Sequence, residues 1–153
     1  MHFNYITGEW LKLFLIPEYD ESKCKNNVRP ILNQYRRLAR IAGRSLTDLK
    51  SPTISDMPSA TPYGNRQEEN NSTVISARME LDEINRAMNN LSQECFEVVY
   101  LTYMAKEKFT DTKIAYSVFQ SYDSSKSVER KRSIGLIQFC EAYRNGKLLV
   151  FKE

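Results

Sequence analysis

The stretch DTKIAYSVFQSYDSSKSVERKRSIGLIQFCEAY (Asp111–Tyr143) decides how this chain is read. Ile114, Ala115, Val118 and Phe119 recur at helical steps after Thr110 and Asp111, either of which suits a helix start. A turn is expected around Gln120-Ser121. A long helix then runs from about Tyr122 to Tyr143, with Val128, Leu136, Phe139 and Tyr143 on its buried side. Helix, tight turn and helix form the outline of a helix-turn-helix, which needs a small residue where the two helices cross. Ala115 meets that need, and Val128 is spaced to pack back on Ile114 and Val118. Phe119 departs from the pattern, standing where glycine often begins the turn.

The other side of the last helix carries the chemistry. Ser124, Lys126, Ser127, Arg130 and Lys131 share its exposed face, flanked by Ser125, Glu129 and Arg132. Short hydroxyls allow close approach to a groove, and Lys and Arg reach guanine edges or phosphates. Lys113, Tyr116, Lys131 and Arg132 are candidates for phosphate contact. Ser124, Ser125, Lys126 and Arg130 are candidates for base edges, with Ser127 beside them. From Asp111 to Lys147 there are seven Lys/Arg against four Asp/Glu, an excess equal to the +3 of the whole chain. The bland alternative is a polar cap and solvated turn on an ordinary helical bundle.

Outward from this stretch the chain reads as all-α. Residues 74–147 form four helices. The first has Ala77, Leu81, Ile84, Met88 and Leu91 on its apolar side, and Ser92 caps the second, with Glu94 in its first turn. Residues 45–73 contain Pro52, Pro58, Pro62 and Gly64 without apolar periodicity, and read as a linker. Residues 1–44 are an N-terminal helical region. It opens on Phe3, Tyr5, Trp10, Phe14 and Tyr19, followed by a helix over 28–42 started by Asn27, with Pro30 in its first turn and Gly43 at its end. That helix places Arg29, Arg36, Arg37, Arg40 and Arg44 opposite its core stripe. They are candidates for an auxiliary phosphate contact, or simply a solvated face. Residues 148–153 are a tail with an extended look. Nothing in the sequence says whether residues 1–44 pack on the C-terminal half.

Composition narrows the classes further. Hydrophobic residues make up 41% of the 153, enough for a core. Cys24, Cys95 and Cys140 are odd in number and far apart, which fits free thiols in a reducing cytosol. His2 is the one histidine, so no nucleophile–histidine pair and no metal-spaced ligand set is present, and neither a metal nor a cofactor is expected. The adjacent acids Asp20-Glu21 and Glu68-Glu69 lie in polar segments without catalytic geometry. An enzyme is therefore not expected. The apolar run Trp10–Pro17 is too short for a membrane span and lacks a basic leader. The expected location is the cytoplasm of a bacterial cell, with no membrane partner.

The order of these elements resembles region 4 of sigma factors, carried here by Leu91-Ser92, Ile114-Ala115 and Ser121. More closely, the chain is similar to the ArpU-type phage transcriptional regulators, a group related to the RinA-like late-gene activators. The similarity is carried by FLIPEYDESKCKNNVRPILNQYRRLARIAG (Phe14–Gly43), SDMPSATP (Ser55–Pro62), AMNNLSQECFEVVYLTYM (Ala87–Met104) and GLIQFCEAY (Gly135–Tyr143). The family often has alanine where Gly135 and Cys140 stand. The resemblance implies a sequence-specific DNA-binding regulator of phage or prophage late genes, covering packaging and lysis, with DNA contacts through Asp123–Arg132. Its expected partner is double-stranded DNA. RNA polymerase contact follows only by analogy with sigma factors, and a homodimer through the N-terminal region would enlarge a small footprint. Two rivals stay open, a small-terminase-like DNA-packaging protein and a protein-interaction module that binds no DNA.

Overall fold

A computed structural model of the chain describes residues 17–44 and 65–153. The early aromatic residues Phe3, Tyr5, Trp10 and Phe14, and the SDMPSATP motif, lie outside the described residues. Among the described residues six α-helices follow one another: α1 (Glu21–Asn33), α2 (Tyr35–Ala42), α3 (Asn65–Met88), α4 (Gln93–Val99), α5 (Asp111–Phe119) and α6 (Ser125–Ala142). A π-helical turn, Tyr100–Met104, extends α4, and a 3-10 turn, Tyr143–Gly146, follows α6. The architecture is all-α, and the described residues hold no strand beyond one isolated bridge between Tyr19 and Phe151.

The N-terminal helix differs from the one the periodicity predicts. It starts at Glu21, capped by Asp20, whose carboxylate accepts from the Lys23 N–H at 3.1 Å, so Asn27 is interior rather than a cap. Pro30 therefore stands well inside α1. It is tolerated because Pro30 and Asn26 both face solvent, so the carbonyl that loses its usual N–H donor is open to water. The predicted helix over 28–42 is two helices, broken at Gln34, whose N–H turns to the Ile31 carbonyl at 3.2 Å. Gly43 ends α2 in the left-handed conformation (φ 68°), as its position suggests. Helix α3 begins at Asn65, so the last nine residues of the stretch expected to be linker are helical.

One core joins the two halves of the chain. Cys24, Val28 and Leu32 of α1 and Tyr35, Ala39 and Ala42 of α2 are buried with Ala77, Leu81, Ile84 and Met88 of α3. The same cluster takes in Cys95 and Val99 of α4 and Leu136, Phe139 and Cys140 of α6. Helices α4 and α6 cross closely at Gly135, where a methyl group would come within 2.7 Å of the Val99 side chain and 3.3 Å of the Cys95 Cβ. Burial holds the Tyr35 hydroxyl as the neutral phenol, pushing its pKa up to about 12, with Tyr100 adding to the effect.

The C-terminal end closes over α1. Arg144 (φ 45°), Asn145 (φ 58°) and Gly146 (φ 81°) are successive left-handed residues, a strained turn for the two that carry side chains. Arg144 is held there by Glu80, 2.5 Å away, and by the Tyr143 hydroxyl at 3.0 Å, while that hydroxyl donates to Glu80. The tail then runs antiparallel to residues 18–20: Asp20 N–H donates to the Val150 carbonyl at 2.7 Å, and Lys152 N–H to Glu18 at 2.9 Å.

Candidate nucleic-acid interface

A second, smaller cluster lies apart from the main core. Val98 of α4, Ile114 and Ala115 of α5 and Val128 of α6 are fully buried in it, with Leu101, Phe109, Val118 and Phe119 packed around them. The small side chain of Ala115 sits where the helices meet, and Val128 packs back on Ile114 and Val118 as their spacing suggests. Thr110 caps α5, its hydroxyl accepting from the Lys113 N–H at 3.4 Å. The helix ends at Gln120, left-handed at φ 56°, so the positive φ falls one residue after Phe119 and on a non-glycine. In the connection the Asp123 N–H donates to Ser121 Oγ at 3.4 Å. Helix α6 begins at Ser125, three residues later than the predicted start near Tyr122.

This packing fixes what α6 shows to solvent. Ser125, Lys126, Glu129 and Arg130 are exposed, while Ser124, Ser127, Lys131 and Arg132 are half-buried. Lys113 and Tyr116 are exposed on α5. The predicted face is thus assembled around Lys126 and Arg130, and two of its cations have internal partners. Lys131 Nζ lies 2.7 Å from the Glu94 carboxylate, which raises the pKa of its ammonium. Arg132 forks onto Asp111 at 2.5 and 3.4 Å and donates to Thr102 Oγ1 at 3.2 Å, with only 19% of its side chain accessible. That guanidinium ties the middle of α6 to the first turn of α5 and to the π turn.

Of the five N-terminal arginines, two turn inward. Arg36 donates to the Ala105 carbonyl at 2.7 Å and the Thr102 carbonyl at 3.3 Å. It satisfies orphan carbonyls at the end of the α4–π segment, where positive charge suits the helix dipole. Its burial, together with Arg40 nearby, lowers its pKa. Arg44 pairs with Asp82 at 2.7 Å. Arg29, Arg37 and Arg40 remain exposed. The amphipathic pattern placed all five on a solvent face, but a cation beside free carbonyls is drawn in regardless of periodicity.

Sequence reasoning missed two features of this region. Tyr122 stacks on Tyr116 with ring centroids 4.5 Å apart and planes 15° from parallel. Both rings are open, at 61% and 52% exposure, and together they stand at the opening of α6. The i, i+6 spacing across a turn has no sequence signature. Thr102 is the other: its hydroxyl donates to the Val98 carbonyl at 2.7 Å while accepting from Arg132, and its carbonyl accepts from Arg36.

The result is an all-helical protein that presents a short, hydroxyl-bearing, cationic helix start flanked by open tyrosines. Its chemistry suits anionic oxygens and planar, polar edges. The chain is 36% identical over 138 residues to an Enterococcus hirae protein named "Putative autolysin regulatory protein ArpU", an alignment covering 90% of this chain and 98% of that one. It belongs to the ArpU family. No family model matches the chain, and no solved structure matches it. Among the described residues no helix is long and apolar enough to cross a membrane.

Proposed function

We propose that this protein is a DNA-binding transcriptional regulator, and that α5, the connection and α6 act as a sigma region 4-like helix-turn-helix. The observation that carries this reading is the exposed Lys126–Arg130 face on a helix whose start is held by a dedicated small core. The regulatory name of the E. hirae relative supports the regulatory part. In this mechanism α6 enters the major groove. Lys126 and Arg130 reach base edges, helped by Ser124, Ser125 and Ser127 at close approach. Lys113 and Tyr116 contact phosphates, with Tyr122 holding the Tyr116 ring against the backbone. Lys131 and Arg132 act first as positioning residues, because Glu94 and Asp111 hold them. The genes it controls, on this reading, are phage or prophage late genes.

The test is fluorescence anisotropy with a duplex from upstream of the genes adjoining its own, beside a scrambled duplex. Preferential binding that weakens with salt, and loses its preference in Lys126→Ala/Arg130→Ala, is the expected result. No binding at low salt overturns it. A protein-interaction role then takes over, for which Ile41, Ile75 and Met79 supply exposed apolar side chains on the adjoining helices α2 and α3.

A further inference from the structure

The five-arginine row does not survive as one surface, but a different basic edge takes its place. Lys25 Nζ donates to Ser133 Oγ at 2.9 Å. On α6, residues 126, 130 and 133 are separated by steps of four and three and so share one face. Lys25 is thereby fixed on the same face as Lys126 and Arg130. The thiols of Cys24 and Cys140 adjoin. The start of α1 therefore lies against α6 between residues 133 and 140. Beyond the break that ends α1, Arg36 of α2 and Arg132 of α6 both bond Thr102. Arg29 stands one turn beyond Lys25 on the same side of α1. It is exposed, with its guanidinium steadied on Asn26 Oδ1 at 2.8 Å. Glu129, beside Arg130 and three residues from Lys126, and Glu21, four residues before Lys25, are exposed acids close to this edge.

We propose that Lys25 and Arg29 are a phosphate-binding flank of the α6 face. They would hold the sugar-phosphate backbone beside the groove, while Lys126 and Arg130 address the bases. This inference rests on the DNA-binding reading and extends its surface onto the N-terminal helix. It also separates Arg29 from Arg36 and Arg44, which have internal partners, and from Arg37 and Arg40 beyond the break at Gln34. Contacts of this kind carry no sequence information and act through counterion release.

The deciding experiment measures affinity against salt concentration for the full chain on the native and scrambled duplexes. Lys25→Gln/Arg29→Gln is compared with the parent, with Arg37→Gln/Arg40→Gln as the control pair. Glutamine removes the charge and keeps a donor for Ser133 and Asn26, and thermal melting confirms that each variant folds. The expected result is that the first pair weakens both duplexes alike. It should lower the slope of log K against log[salt] by about 1–2, with the native-to-scrambled ratio unchanged and the control pair close to the parent. A parent that binds DNA with a slope untouched by Lys25→Gln/Arg29→Gln overturns this proposal alone. The same follows if the control pair shows the loss instead. A parent that binds neither duplex overturns the DNA reading, and this proposal with it.

Discussion

The two hydrophobic clusters of this molecule are built from the same kinds of residue but in unequal amounts. Among the described helices, the main core draws on all but α5 and closes over with the C-terminal tail. The small cluster has four fully buried residues and holds α5 and the start of α6. Polar ties compensate for its size: Arg132 to Asp111 and Thr102, and Thr110 to Lys113 N–H. The difference teaches that stability and presentation are handled by separate parts of the fold. A segment with few buried contacts is also the one that opens locally at low free energy.

Substitution in the main core sets the largest expected effect. Phe139→Ala removes a fully buried ring stacked on Tyr143 at 5.5 Å and should destabilise the whole chain by about 3–5 kcal/mol, read by chemical denaturation. Ile114→Ala removes a buried side chain of the small cluster and should cost about 2–4 kcal/mol. The comparison predicts a different signature for it: amides of α5 exchange faster while those of α1 and α3 stay protected. Equal acceleration everywhere would merge the two clusters into one cooperative unit. Arg132→Ala leaves Asp111 without its guanidinium partner and should cost about 1–3 kcal/mol, with a larger proportional loss of DNA affinity than of stability.

The main core carries a pH effect of its own. The Tyr35 phenol ionises near 10.0 when exposed and near 12 in the fold, because burial favours the neutral form. Between those values the unfolded chain has lost the proton and the folded chain keeps it, so stability falls as pH rises from 10.0 toward 12. Tyr35→Phe should flatten that decline in denaturation curves taken across this range. The smallest effect is expected from Lys131→Ala, whose partner Glu94 is 53% accessible. Its melting temperature should match the parent's, since an exposed pair is screened.

Legibility divides along the same line. The apolar positions of α3, α5 and α6, the Thr110 cap and the Gly43 stop could be read from sequence, because each depends on neighbours a few residues away. Asn27 misled as a cap because Asp20, seven residues earlier, supplies the bond to Lys23 N–H. The inward turn of Arg36 depends on Ala105, sixty-nine positions away, and on a π turn that has no periodic signal. The candidate site was legible at Lys126 and Arg130, whose exposure follows from helical phase. It was not legible at Tyr122 or Lys25, whose neighbours come from chain reversal and long-range packing.

The surface that a DNA duplex would touch is the central point of the proposed function. Backbone hydrogen exchange with and without the native duplex locates that contact directly. Slowed exchange is expected from Tyr116 through Lys131, extending onto α1 around Lys25–Arg29, with α3 unchanged. Protection confined to α3 around Ile75–Met79, with residues 116–131 exchanging as in the free protein, would contradict it.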